Sequence, residues 1–206
     1  MKVELLAPGH YIAASNSYGI LSDNAAIVVD CGRFDERTAK FLNDNKDKSR
    51  LILLTHAHFD HISGANELRE KTGAPIAIGK TEAENMCDPK YNLSGAIHRP
   101  IAQFKPDYTV ADEQVITVGD IKIKAYEMPG HTKGSMVYLI GNDLFSGDTL
   151  FAGSIGRTDL YSGDPEEMQA SLERMLWLFG DEVRVFPGHD EATTMAQERA
   201  HNPYLR

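Results

Sequence analysis

The chemistry in this chain is concentrated at residues 55 to 61, Thr55-His56-Ala57-His58-Phe59-Asp60-His61, where three imidazoles and a carboxylate fall within six positions. Imidazole and carboxylate together suit borderline-to-hard divalent metals such as zinc, iron or manganese. In an extended segment side chains alternate, so His56 and His58 face one way, and a turn directly after them can carry Asp60 and His61 to an adjacent position. That spacing allows two neighbouring half-sites at one strand end. Three further residues of ligand type each stand beside a glycine: His131 in Met128-Pro129-Gly130-His131-Thr132, Asp148 in Ser146-Gly147-Asp148-Thr149, and His189 in Phe186-Pro187-Gly188-His189-Asp190. A Pro-Gly-His by itself reads as a turn. Four such sites, each after a β-prone run, reinforce one another as a convergent metal centre.

The elements that must position these groups are legible as short strands and amphipathic helices. Leu51-Ile52-Leu53-Leu54, four apolar residues immediately before the histidine cluster, reads as a strand buried on both faces. Upstream, HYIAAS, YGIL and AAIVVD are β-prone runs separated by turn residues, and Asp30-Cys31-Gly32 closes the third. Helices are expected at 35–42, 61–72, 80–86, 165–179 and 191–200. The fourth is the best specified, with Asp164 at the N-cap, Pro165 at N1 and Glu167 at N3. Strands are expected at 75–78, 114–118, 121–127, 136–140, 143–148 and 183–186. Residues 88–107 hold three prolines and no clear periodicity, so they read as a flap near the site, with His98 as a surface histidine. β-rich and mixed halves with no visible linker suggest one domain, 1–206, with sheets inside and helices outside.

Composition bounds the partners. An apolar fraction of 42% with 25% charged residues is ordinary for a soluble globular chain, and no run approaches the ~18 apolar residues of a membrane span. The formal charge of −9 argues against nucleic acid and against an anionic membrane surface. It leaves room for a small anionic substrate, because metal ions reverse the sign locally. Glu4 interrupts the apolar stretch that an export signal needs. Cys31 and Cys87 share no metal-type spacing, and they read as reduced thiols in a cytoplasmic protein.

The order of Thr55-His56-Ala57-His58-Phe59-Asp60-His61, Gly130-His131, Gly147-Asp148 and Gly188-His189 resembles the metallo-β-lactamase-fold hydrolase superfamily over nearly the whole chain. Pro129 to Ser135, Ser146 to Phe151, Gly156-Arg157-Thr158-Asp159 and the closing Asn202-Pro203-Tyr204-Leu205 resemble its glyoxalase II (hydroxyacylglutathione hydrolase) branch. Members of that branch carry a C-terminal helical domain. Only 17 residues (206 − 189) follow His189 here, which is similar to the short bacterial form.

The resemblance implies an α/β (α+β) fold, a four-layer αβ/βα sandwich of two facing sheets with helices outside. It implies two divalent ions, zinc first and iron or manganese next. His56, His58 and His131 would hold one ion and Asp60, His61 and His189 the other, with Asp148 bridging. An aspartate at 148, where lactam-cleaving members usually have cysteine, argues against lactam hydrolysis. The implied activity is hydrolysis of a small acyl thioester such as S-lactoylglutathione by a metal-bridging hydroxide, oriented by Asp60. Arg157 would take the substrate carboxylate, with Tyr161 and Lys133 as further substrate contacts and Asp190 as a partner to a ligand. The alternatives are a single-iron glutathione persulfide dioxygenase using His56, His58, His131 and Asp148, or a lactonase.

Overall fold

The computed structural model describes residues 1–9, 14–98, 101 and 103–205. Most of HYIAAS, the first expected strand, lies outside these residues. The first sheet contains β1 (Lys2–Ala7), β2 (Ser17–Leu21), β3 (Ala25–Val29), β4 (Ser49–Leu54), β5 (Ile76–Gly79) and β6 (Tyr108–Val110), in that spatial order. β1 to β3 are antiparallel, and β3 to β6 run parallel. The second sheet is built from β7 (Val115–Val118), β8 (Ile121–Glu127), β9 (Met136–Ile140) and β10 (Asp143–Gly147). A small hairpin of β11 (Leu150–Phe151) and β12 (Ser154–Ile155) comes next. β13 (Arg184–Pro187) and β14 (Thr193–Thr194) then complete the second sheet, in the order β14-β13-β10-β9-β8-β7.

Alternation along the strands sorts apolar side chains into three cores. From β3 and β4, Ile27, Val29, Leu51 and Leu53 face Ile123, Ala125, Tyr138 and Phe145 of the other sheet. Their neighbours Val28, Ile52 and Leu54 point outward, under α1 (Glu36–Asn43), α2 (Phe59–Ile62), α3 (Ala65–Thr72) and α4 (Lys80–Asn85). On the far side, Val137, Leu144 and Val185 pack beneath α5 (Pro165–Leu178) and α6 (Met195–His201) through Met168, Leu172, Met175 and Met195. The result is helix, sheet, sheet, helix: the expected four-layer sandwich. Among the described residues no helix is long and apolar enough to cross a membrane.

Two helices differ from the periodicity, and both differences bear on the site. The expected helix over 61–72 is broken into α2 and α3. Gly64 fills the break and its N–H donates to Cys31 O at 2.9 Å. A Cβ there would stand 2.2 Å from Phe34 N, so the chain approaches more closely than any other residue permits. The split lets the one-turn helix α2 present Asp60 and His61 independently of α3. At the C-terminus, the helix expected from 191 starts at Met195. Thr193 and Thr194 pair instead with β13, and the Thr194 hydroxyl caps α6 at Gln197 N. The Asp164 cap of α5 forms as expected, accepting from Glu166 N and Glu167 N.

Both cysteines are free thiols, in accord with their spacing. Burial, then the carboxylates of Asp30, Asp35 and Glu67, pushes the Cys31 thiol up to about 12. Iodoacetamide at pH 8 should therefore label the folded chain at half-buried Cys87, and reach Cys31 only after denaturation. Peptide mass spectrometry of folded and unfolded samples reads both sites; rapid native labelling of Cys31 would contradict this burial.

Candidate metal centre

All seven expected ligands meet at one end of the sandwich, where loops leave β4, β8, β10 and β13. His56 and His58 follow β4, and Asp60 and His61 sit on α2. His131 follows β8, Asp148 follows β10 and His189 follows β13. Ligand atoms of His56, His58 and His131 lie within 4.8 Å of one another, as do those of Asp60, His61 and His189, and those of His56, His61 and Asp148.

In the first group His58 Nδ1 stands 3.2 Å from His56 Nε2 and 2.9 Å from His131 Nε2. In the second, Asp60 Oδ2 is 3.2 Å from His189 Nε2 and 4.0 Å from His61 Nε2. Asp148 lies between the two, with Oδ1 3.2 Å from His61 Nε2 and Oδ2 3.4 Å from His131 Nε2 and 3.6 Å from His189 Nε2. Gly188 makes room for this convergence, because a Cβ there would stand 2.3 Å from Asp148 Oδ1 and 2.6 Å from His61 Cε1.

The donor set fits divalent metal. Buried polar atoms are normally paired, yet His61 Nε2 and Asp148 Oδ1, both turned toward the cluster, are buried and make no well-formed hydrogen bond. Burial first, then the neighbouring imidazoles, holds His56 and His58 neutral, the latter lowered to about 3. Burial lowers His131 too, against the pull of Asp148. Neutral imidazole is the ligating form. His61 behaves oppositely: burial would lower it, but Asp148 and Asp30 raise it well above the usual histidine range. Asp148 is itself held down by His61, against its burial.

The sequence did not disclose the groups that orient the ligands. Asp30, at the end of β3, accepts from His61 Nδ1 at 2.9 Å, from Thr55 N at 2.8 Å and from Thr55 Oγ1 at 2.8 Å. Anchoring the Nδ1–H leaves His61 Nε2 as the ligating lone pair. The Arg157 carbonyl does the same for His131, at 2.8 Å from Nδ1. Glu82, fully buried on α4, accepts from Ala57 N, Gly134 N and the hydroxyls of Thr132 and Tyr91. It thereby ties the His56–His58 loop to the His131 loop. Its only sequence signal is a carboxylate within a short helical run.

The expected substrate contacts lie outside this cluster, on exposed surface. The Arg157 guanidinium pairs bidentately with Asp159, at 2.6 and 2.8 Å. Lys133 is exposed. Tyr161 is exposed, has the Lys90 ammonium 4.0 Å above its ring, and with Pro89, Leu93 and Ala96 lines a cleft of about 560 Å³. Of the expected flap over 88–107, residues 99, 100 and 102 lie outside the described residues; within the rest, Asn92 O accepts from Phe59 N at 2.8 Å, next to His58 and Asp60. His98 is exposed, and Asp190 contributes its carbonyl rather than its carboxylate, accepting from Asn16 at 2.9 Å.

Because Asp148 contacts residues of both groups, Asp148→Asn should bind fewer ions per chain than the wild type at the same metal concentration. Inductively coupled plasma mass spectrometry after gel filtration gives the count. An unchanged count would remove Asp148 from the bridging position.

Residues 11–189 match the family model of the metallo-β-lactamase superfamily. The chain is 32% identical to "Probable metallo-hydrolase YqgX" of Bacillus subtilis, over 93% of this chain and 92% of that protein. Its fold superposes on the crystal structure of the BLEG-1 B3 metallo-β-lactamase with a TM-score of 0.89, at 34% identity and covering 99% of both chains. It superposes on TTHA1623 in a di-iron-bound form with a TM-score of 0.79, at 29% identity and covering 100% of both. ETHE1 from Myxococcus xanthus gives a TM-score of 0.76 at 28% identity, over 98% of this chain and 84% of that one. With its two-sheet sandwich and its cluster of histidines and aspartates at the strand ends, the chain belongs to the metallo-β-lactamase superfamily.

Proposed function

We propose that this protein is a binuclear metal-dependent hydrolase of small acyl thioesters, of the glyoxalase II type, with S-lactoylglutathione-like molecules as its substrate class. The observation that carries the reading is the position of Asp148, within 3.2 to 3.6 Å of ligand nitrogens from both histidine groups. One carboxylate shared in this way is what two adjacent cations require. The similarity to a di-iron-bound structure supports the same count.

His56, His58 and His131 would hold one ion and Asp60, His61 and His189 the other. When bound, such ions make hydroxide available near neutral pH and polarise the acyl carbonyl. Asp60, with Oδ2 already directed at His189, is placed to hold the nucleophile's proton and so aim its lone pair at the carbonyl carbon. Attack by hydroxide would form the new C–O bond, the C–S bond would break to release the thiolate, and the carboxylic acid so formed would lose its proton to solvent and leave as the carboxylate. A thiolate leaves readily near pH 8, so no dedicated general acid is required. Arg157 can receive a substrate carboxylate by exchanging it for Asp159, its exposed partner. Lys133 and Tyr161 would be further substrate contacts.

A second reading, lactam hydrolysis, is favoured by the resemblance to BLEG-1 over the whole of both chains. Purified enzyme should contain about two ions per chain and hydrolyse S-lactoylglutathione faster than a penicillin or cephalosporin. Arg157→Ala should raise KM for the anionic thioester about tenfold with little change in kcat. Lactam turnover exceeding thioester turnover would sink the proposal in favour of the second reading. A single iron, with oxygen uptake on glutathione persulfide, would replace it with the dioxygenase.

A further inference from the structure

The two ligand groups are held in place by different parts of the molecule. Loops bearing His56, His58 and His131 converge on Glu82, as described above. The loops bearing Asp60 and His189 are instead joined by the segment that leads into β2. Ser15 N donates to Asp60 O at 2.7 Å, and the next residue, Asn16, donates from its backbone N to Gly188 O at 2.7 Å. The Asn16 side chain, 4% exposed, is saturated with partners. Its Oδ1 accepts from Gly9 N at 2.7 Å. Its Nδ2 reaches Asp190 O at 2.9 Å, Tyr18 Oη at 3.0 Å and Pro187 O at 3.1 Å. Two amide hydrogens serve three acceptors, so one is shared between Tyr18 Oη and Pro187 O. Tyr18 reinforces the clasp by donating its own hydroxyl to Pro187 O at 2.8 Å.

The clasp brackets His189. Pro187 and Asp190 lie on either side of it, and Asp190 adopts a left-handed φ of 64° that a non-glycine residue holds only where its surroundings impose it. Among the described residues, Asn16 and Tyr18 make no side-chain hydrogen bond to the loops of His56, His58 or His131. Glu82, conversely, makes none to the loops of Asp60 or His189.

We infer that Asn16 is a positioning residue for the second metal ion: by clasping the His189 loop beside Asp60 it sets whether the centre holds two ions or one. This rests on the binuclear reading given above. Asn16 touches neither metal nor substrate, and it acts through the backbone that aims His189. Substitutions behind a ligand commonly weaken metal binding about 10- to 100-fold. Here the loss should fall on one binding step only.

The test is a titration of metal-free full-length protein with Co²⁺, following the visible absorption bands with a competing chelator present. Wild type should bind in two steps. Asn16→Ala should keep the first step and lose about 10- to 100-fold in the second, and Tyr18→Phe should show the same selectivity more mildly. Glu82→Gln should weaken the first step instead. Circular dichroism checks that each variant is folded; if Asn16→Ala is not, Tyr18→Phe alone decides. Two unchanged steps, or both steps weakened alike, would overturn the inference while leaving the binuclear reading intact. One step in the wild type would overturn the binuclear reading, and the inference with it.

Discussion

Crowding of lone pairs organises this structure. Five imidazoles and two carboxylates converge at one end of two sheets, and two of the polar atoms that face one another there, His61 Nε2 and Asp148 Oδ1, are buried without a well-formed hydrogen bond. Uncompensated, each such atom costs on the order of 1–3 kcal/mol. A bound cation would supply what these lone pairs lack, and the scaffold is what holds the groups together. Inter-strand hydrogen bonding and three apolar layers do that work, leaving the strand ends free to carry polar loops.

The orienting contacts show how a scaffold can be selective at this density. Each ligand with a resolved partner spends one atom on it and keeps the other for the centre: His61 on Asp30, His131 on the Arg157 carbonyl. Asp30 directly follows β3, and the Arg157 carbonyl lies on the loop after β12. The ligand geometry is therefore referenced to several elements at once, and no single loop can drift without breaking a bond to another. Buried Glu82 extends this to the backbone, where burial raises its pKa while four donors stabilise the carboxylate form. A buried acid with that many donors is a structural fastener.

Legibility in the sequence followed locality. Leu51 to Leu54 and the histidines after it announced themselves, because a doubly buried strand and its terminal ligands are adjacent in the chain. His131, Asp148 and His189 were legible for the same reason, each beside a glycine after a β run. Asp30, Asn16 and Glu82 were not. Asp30 acts on a residue 31 positions away, Glu82 on residues 25 to 52 away, and Asn16 on residues more than 170 away. Polar residues at such separations carry no periodic signature, and only the closed fold reveals what they bind. The break at Gly64 escaped notice because Ile62, Ala65 and Leu68 keep a helical spacing across it. The late start of α6 has a tertiary cause: β13 captures Thr193 and Thr194 before a helix can begin.

A division of labour follows from burial. The ligands and their partners are almost wholly enclosed, so a substitution there disturbs packing, hydrogen bonding and metal geometry together. Lys133, Arg157 and Tyr161 stand on exposed loops, where the Arg157 guanidinium is held by a solvent-screened surface ion pair with Asp159. A contact that weak is easily exchanged for one with a substrate carboxylate. The buried cluster can therefore stay fixed while the exposed loops around it vary. A shared sandwich and a shared cluster of histidines and aspartates identify the superfamily; they do not by themselves choose the substrate.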